Sequence, residues 1–527
     1  MSRAGRRPPS RAAAVPVPAW VTSAVGGAFL LVYLALAPPV SGGGDTSEFT
    51  TVLATLGLAH PTGYPAYTLL GHGFVRLLHA CGAGWAWAAN AWSALGAALA
   101  LALWHAFAAR LLRREGLGGI QGALLALLPV VALGLDPAWT SEATLAEVTS
   151  WHLAWVAGAC LYTVATLDGH PARGADGRWV ARRWLAWGAL AGLGVAHHAT
   201  SVLVAIPLTV VLGAATRPRL AAVLGGIVAG ALVVLAAWSY VFERSLHPAA
   251  VQWGSLGPGV RETWNHVTAA GYRHFLGGFH PSPDQRELLR AHVYPWLAPA
   301  LAAAALWPAA RAAAPRGMRL ALAAAALLPA AYVFSYGVAD PASYFLAPLA
   351  LGLSVLPAAL GALGPVRRWA RPLAAAAALG LAVAAWSWTG AAIERRRAFI
   401  GLDGFLHSMW RAVPIQRGYV LWDEDLSYRL VQYQQLDHEH PGLIVVRPRL
   451  LMDAGARALF AARHGFDPLG GAAPPADADA DSPATIERFA RQIGDGINLA
   501  SPDSVILFLP REPALRLLTK PAHGSVR

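Results

Sequence analysis

The sequence predicts an all-α polytopic membrane protein with about eleven transmembrane helices, followed by a small α/β domain outside the membrane. Three observations predict it. The chain of 527 residues is 56% hydrophobic and 13% charged, where soluble domains carry about 25% charge. Its mean hydropathy is +0.44, and apolar runs able to cross a hydrocarbon core of about 30 Å recur along it. Its 21 tryptophans suit the boundary where an indole meets hydrocarbon on one side and water on the other.

The net charge of +12 does not mark a nucleic-acid partner, because the basic residues fall between the apolar runs instead of gathering on one soluble domain. Cys81 and Cys160 lie in or beside apolar runs, with neither a disulfide framework nor metal-ligand spacing. Arginine is used almost to the exclusion of lysine, Lys520 being the sole one, and alanine is abundant. That coding bias points to a GC-rich bacterial source.

The first run, 20–38, follows Arg3, Arg6, Arg7 and Arg11 and ends in Ala35-Leu36-Ala37, as a cleavable signal would. Pro38 and Pro39 disfavour cleavage there, so it is expected to be an uncleaved transmembrane helix. Further runs lie at 85–109, 119–135, 146–167, 184–197, 199–215, 220–240, 293–309, 320–336, 344–363 and 372–390. With the N-terminus cytoplasmic, the inner connections carry Arg110, Arg113 and Arg114, then Arg178, Arg182 and Arg183, then Arg217 and Arg219, and later Arg316 and Arg319. The short outer loops 39–66, 136–145 and 337–343 carry no Arg or Lys, which is the bias that sets orientation. The scheme requires the two short runs between Trp184 and Thr216 to form a tight re-entering hairpin. It divides the chain into a membrane domain, 1–390, and an extracytoplasmic α/β domain, 391–527. The latter has strand-like and helix-like segments such as "YVLWDEDLSYRLVQYQQL" and a flexible loop at 470–483. The expected location is the bacterial inner membrane.

This topology gathers Asp45, Glu48, Asp136, Glu142, Glu147 and Asp340 at the extracytoplasmic ends of helices. Asp45 and Glu48 have the spacing of a helix capping box, and capping is compatible with catalysis because it fixes a carboxylate's direction. Gly42-Gly43-Gly44 ahead of them allows close backbone approach, and His60 follows in a loop stiffened by Pro61 and Pro65. A carboxylate at the rim of an apolar site is a better proton acceptor than one in water. A transporter would place such acids midway along helices, in paired broken segments of repeated halves; here they cluster at one end and no repeat is visible. In the long outer loop, Trp253, Trp264, His266, Tyr272, Arg273 and His274 form either an amphipathic helix lying on the membrane or a binding surface where Arg273 and His266 meet a lipid phosphate. His197 and His198 read equally as core histidines, Glu147 as a group placed by a helix dipole, and His152 as a packed polar residue.

"GDTSEF…GLAHPTGYPAYTLLG" resembles the first outer loop of a family of polytopic proteins allied to the protein O-mannosyltransferases of the GT-C superfamily. "AEVTSWHLAW", "GLGVAHHATSVL", "WGSLGPGVRETWNHVTAAGYR" and "YGVADPASYFLAPL" extend the resemblance over about residues 20–350. It implies a GT-C glycosyltransferase that takes a sugar from a polyprenyl-phosphate donor on the extracytoplasmic face. It assigns Asp45 as catalytic base with Glu48 as its partner, and His60, Tyr64, Glu147, His266, Tyr272, Arg273, Asp340 and Tyr344 as pocket residues. Where relatives have an Asn-His pair this chain has His197-His198, also pocket candidates. The donor group is expected to be a sugar such as mannose, the acceptor a hydroxyl of protein, lipid or glycan, and the outcome inversion. No metal is required if cations reach the leaving phosphate, although the acids leave room for a divalent ion. A lipid-linked sugar flippase, or a non-catalytic envelope scaffold, stand as alternatives.

Overall fold

The structure is a computed structural model that describes residues 15–169, 176–247, 257–310, 312–362, 366–423, 426–452, 454–474, 483–501, 503–509 and 512–518. The N-terminal arginines, Trp253 and the 475–482 part of the loop at 470–483 lie outside them.

In chain order the helices are α1 (Ala19–Leu36), α2 (Thr46–Thr55), α3 (Pro65–Ala80), α4 (Trp85–Arg114), α5 (Gly119–Gly134), α6 (Pro137–Thr144), α7 (Thr149–Asp168), α8 (Gly177–His197), α9 (Ser201–Thr216) and α10 (Leu220–Ser245). They continue as α11 (Val260–Val267), α12 (Pro283–Leu288), α13 (Tyr294–Leu306), α14 (Arg316–Val333), α15 (Ala342–Ala362) and α16 (Val366–Arg411). Every apolar run of the sequence is helical, as α1, α4, α5, α7 to α10 and α13 to α16. Among the described residues α1, α4, α10, α14 and α15 are each long and apolar enough to cross a membrane, and α5 with α6, bent by 76°, makes a further candidate span. The chain is an integral membrane protein. Leu224, Ile227, Leu232 and Leu235 of α10 lie exposed, as side chains facing lipid do.

Local chemistry sets the breaks. Pro137 lacks an N–H, so α5 ends ahead of it and a new helix starts. Asp136 caps that helix, accepting from the Ala138 and Trp139 N–H groups at 2.9 and 3.1 Å. Buried α4 runs through the middle of the bundle against α1, α5, α7 and α15. Trp139 Nε1 donates to Tyr33 Oη, which donates to Gly134 O, each at 2.8 Å, tying α6, α1 and α5 together without an orphaned polar atom.

One expectation is corrected. The turn between α8 and α9 is tight, but α8 is not a short segment: it begins at Gly177 and runs 21 residues, taking in Arg178, Arg182 and Arg183. Arginine stems lie along apolar surface while the heads reach water, so hydropathy alone misses that part of the helix. Trp184 and Trp187 donate across to Thr216 and Thr209 of α9 at 3.0 and 2.9 Å. On its other side α8 meets α10 backbone to backbone. A Cβ on Gly188 would sit 1.9 Å from Gly226 O, and one on Gly192 would sit 2.4 Å from Gly230 O. Two small-xxx-small motifs are thus matched face to face, the geometry that lets helices pack where water supplies no hydrophobic drive.

Helix α16 leads out of the bundle to a four-stranded sheet of β1 (Gly418–Leu421), β2 (Leu443–Val446), β3 (Ser504–Leu509) and β4 (Glu512–Leu518). The order is β2-β1-β3-β4, with β1 parallel to both neighbours (Gly418 opposite Leu443 and Ser504) and β3 antiparallel to β4. The crossovers carry α17 (Ser427–Leu436), α18 (Ala454–His464) and α19 (Pro483–Ala500). Phe489, Ile493 and Ile497 of α19 pack under Tyr419 and Leu421. Helix α17 faces the other way, against α2.

Candidate active site

Residues 41–64 loop out of the bundle between α1 and α3 and hold the acids. Gly42 lies so close to Leu145 that a Cβ there would come within 2.8 Å of its side chain. Asp45 ends this turn and begins α2, but its side chain makes no capping hydrogen bond. Nor does Glu48 reach back to complete a capping box. It is only 1% exposed, and its Oε1 accepts from the His60 backbone N–H at 2.6 Å and lies 3.0 Å from His60 Nδ1. A buried carboxylate needs a full set of donors, and His60 supplies two where the helix start would supply one. The other ring nitrogen of His60 faces Tyr64 Oη at 3.3 Å and Asp45 Oδ2 at 3.9 Å. The Asp45 side chain itself is 51% exposed. Phe49 backs the group, with ring centroids 5.6 Å from both His60 and Tyr64.

The charges follow from this placement. Burial pushes the Glu48 carboxyl up, and the His60 partner only partly offsets it. Burial alone would lower His60, but the Glu48 and Asp45 carboxylates outweigh it and raise the ring from 6.5 to about 9. His60 is therefore a cation at neutral pH, paired inward to Glu48 and presented outward to Asp45. A histidine with a raised folded value contributes stability that is complete below its ordinary value and is lost as pH rises through the folded one. Glu48, also raised, runs in the same direction, and the window that His60 sets is 6.5 to about 9. The melting midpoint in detergent is expected to fall across that window, a loss on the order of 2 kcal/mol. Glu48→Gln should flatten most of it; a wild-type profile already flat there contradicts the pair.

Asp45, His60 and Tyr64 open onto a cavity of about 620 Å³, within the range of about 300–1,000 Å³ usual for small-molecule sites. Glu142 of α6 and Glu147 ahead of α7 line it, with His152 of α7, His198 at the turn into α9, and Asp340 and Tyr344 at the start of α15. Thr46 Oγ1 donates to Glu147 Oε1 at 3.3 Å. Burial first, then the nearby acids, raises the Glu147 carboxyl well above the usual range. Among the described lining residues there are several carboxylates and histidines but no Arg or Lys. One ligand atom each from Asp45, Glu48 and His60 falls within 4.8 Å of the other two, so among the described residues these three could share a metal ion.

The structure thus brings together at the cavity Asp45, His60, Tyr64, Glu147, His198, Asp340 and Tyr344. Glu48 lies directly behind them. His197 is buried with Nε2 3.1 Å from Val148 O, and His266 is buried with Nε2 3.0 Å from Ala59 O, bracing the loop that holds His60. Tyr272 stands with its ring 6.5 Å from that of His60. Arg273, next to it, is exposed and outside the cavity lining. His152, expected as a packed polar residue, also lines the cavity, with Thr46, Gln285, Tyr332 and Phe399, which the sequence did not single out. They arrive from separate helices, and no local spacing announces them.

Residues 45–221 match the family model described as the protein O-mannosyl-transferase TMEM260 N-terminal domain. Over that stretch the chain is similar to that domain. The match spans Asp45, Glu48, His60, Tyr64, Glu147, His197 and His198. The fold is similar to that of ArnT from Cupriavidus metallidurans bound to undecaprenyl phosphate, with TM-score 0.52 and 15% identity over 93% of each chain. The apo form of that protein gives 0.49 and 16%, over 93% of this chain and 92% of that one. The Archaeoglobus fulgidus oligosaccharyltransferase in complex with Zn and sulfate gives 0.47 and 12%, over 92% of this chain and 67% of its own. No curated protein matches the chain. The helical membrane architecture with a small C-terminal α/β unit is the one the sequence predicted.

Proposed function

We propose that the protein transfers a sugar, mannose in the first instance, from a polyprenyl-phosphate donor to an acceptor hydroxyl on the extracytoplasmic face of the bacterial inner membrane. The observation that carries this reading is the Asp45 carboxylate, half exposed at the cavity while every group behind it is buried and paired. A base must reach the proton it removes; Asp45 is so presented, as is Asp340 across the cavity, and Asp45 is in addition set beside the buried His60–Glu48 pair. In the reaction Asp45 accepts the hydroxyl proton as the oxygen attacks the anomeric carbon. The bond from that carbon to the phosphate oxygen breaks, and prenyl phosphate leaves with the electron pair. A single displacement inverts the centre.

His60, charged and pinned by Glu48, faces Asp45 across 3.9 Å. Glu147, whose carboxyl burial and its acidic neighbours push well above the usual range, is placed to hydrogen-bond a sugar hydroxyl. A cavity whose described lining holds several carboxylates and no Arg or Lys suits a polyhydroxyl and repels a phosphate, so the donor phosphate sits at the mouth, towards Tyr272 and Arg273. Undecaprenyl phosphate, bound by the structurally similar ArnT, supports a polyprenyl carrier. In this reading the N-terminus is cytoplasmic, and a membrane unit ends near residue 390, where α16 leaves its apolar stretch for an extracytoplasmic unit at 391–527. The test uses the full chain in liposomes with polyprenyl-phosphate [¹⁴C]mannose and a cell-envelope acceptor fraction. Label leaving the organic phase in a glycosidic product supports the proposal. Lipid crossing the bilayer with no product overturns it in favour of a flippase.

A further inference from the structure

Arg429 is fully buried although it belongs to α17 of the C-terminal unit, remote in sequence from the Asp45 loop. Its guanidinium reaches into the base of that loop. Nη2 donates to Ser41 O and to Gly42 O, the latter at 2.6 Å, and Nε donates to Ser47 Oγ at 3.1 Å. Nη1 donates to Asp403 Oδ1 of α16 at 2.5 Å, and Asp403 also accepts from Tyr433 Oη at 2.7 Å. The fork therefore bridges both sides of the Gly42–Asp45 turn, with its charge balanced by one carboxylate from the long helix. Gln432, on the same face of α17, accepts from Ser41 Oγ at 2.6 Å, and Tyr428 packs in one cluster with Phe49 and Tyr64. Asp45, by contrast, has no capping hydrogen bond to fix its side chain, and its ion-pair neighbour His60 is 3.9 Å away. What aims the carboxylate is the backbone of the turn, and what holds that backbone is α17.

We propose that the C-terminal unit completes the site, with Arg429 as the positioning residue that sets the Ser41–Asp45 turn and thereby the aim of Asp45. A planar fork with a fixed set of donors does this where the point charge of a lysine cannot. A buried guanidinium whose partners are two backbone carbonyls and one hydroxyl on the loop, and a carboxylate off it, transmits position without touching substrate.

The kinetic half of this inference rests on the transferase reading, and its test keeps the two apart. In proteoliposomes assayed with polyprenyl-phosphate mannose, Arg429→Gln and Arg429→Lys are expected to lower kcat at least about tenfold, with the donor KM within about twofold and an unchanged gel-filtration profile. A displacement of about 1 Å at a reacting group is enough for losses of that order. Placed on Asp45→Asn, Arg429→Gln should cost nothing further, because its effect passes through Asp45. An additive loss, or an unaltered kcat in a wild type that transfers, overturns the proposal. A second readout needs no activity. Hydrogen exchange of the 41–49 segment should speed up at least about tenfold in Arg429→Gln while that of α4 stays put; unchanged exchange overturns the clamp. If the wild type transfers nothing, the function fails while the exchange result still decides the clamp. Should Arg429→Gln not fold, Asp403→Asn, which keeps the guanidinium and removes its counter-charge, reads the same split.

Discussion

Asp45→Asn is expected to lower transfer by between about 10² and 10⁴-fold, the range a general base supplies, while the protein stays folded. At roughly 1.4 kcal/mol per tenfold, that is about 3–5.5 kcal/mol of transition-state stabilisation. Retained folding follows from the geometry: the side chain is half exposed, makes no cap hydrogen bond and meets His60 only at 3.9 Å, so the isosteric amide leaves no buried group unpaired. The loss should sit in kcat, with the donor KM little changed, because the base acts on the acceptor proton only as the bond forms. Asp45→Glu keeps the base but displaces it by a methylene, so it should recover part of the rate but not all of it. Glu48→Gln is a different case. It leaves the base in place, frees His60 from its buried anchor and shows itself in the pH profile of stability before it shows in transfer. Full activity in Asp45→Asn would remove this residue from the reaction and with it the assignment of the cavity.

The bundle was legible because a bilayer demands long apolar helices, and such runs stand out against interrupting arginines. The ends of those helices were less so. Helix α8 starts at Gly177, where arginine heads lower the hydropathy without breaking the helix, and α16 continues to Arg411, far beyond its apolar run. Of the site, Asp45, His60 and Tyr64 were readable because they lie within one short loop where glycine and proline restrict the backbone. Glu48 was read as half of a capping box, a local pattern; burial beside His60 outcompeted it. Arg273 is a phosphate-ligand candidate by residue type, and it stands exposed outside the cavity lining, where a phosphate at the mouth would meet it. Arg429 could not be read at all. Nothing in "SYRLVQYQQL" distinguishes an arginine that will be buried beneath a distant loop from one that faces water, since its meaning lies wholly in a tertiary contact.

The second large effect is expected far from the acids, where α8 and α10 touch. Gly188→Leu should abolish a monodisperse, folded protein in detergent. Even Gly188→Ala should cost roughly 1–3 kcal/mol, the usual cost of overfilling a close contact, because its Cβ would fall 1.9 Å from Gly226 O, a backbone atom that no rotamer change can move. Gly27, whose added Cβ would meet nothing within 4 Å, is the control: Gly27→Ala should melt like the wild type. The consequence reaches the site through α10. Tyr240 Oη donates to Gly57 O, and Val241 is fully buried in a cluster with Leu58 and Val267, at the foot of the loop that carries His60. Parting the two helices therefore withdraws the support of that loop, so any Gly188→Ala protein that does fold should also lose transfer, by more than its folded fraction explains. Melting curves of the three variants against transfer per folded molecule check both halves. A Gly188→Ala protein as stable and as active as the wild type would mean that the helices can separate freely and that the loop is held by something else.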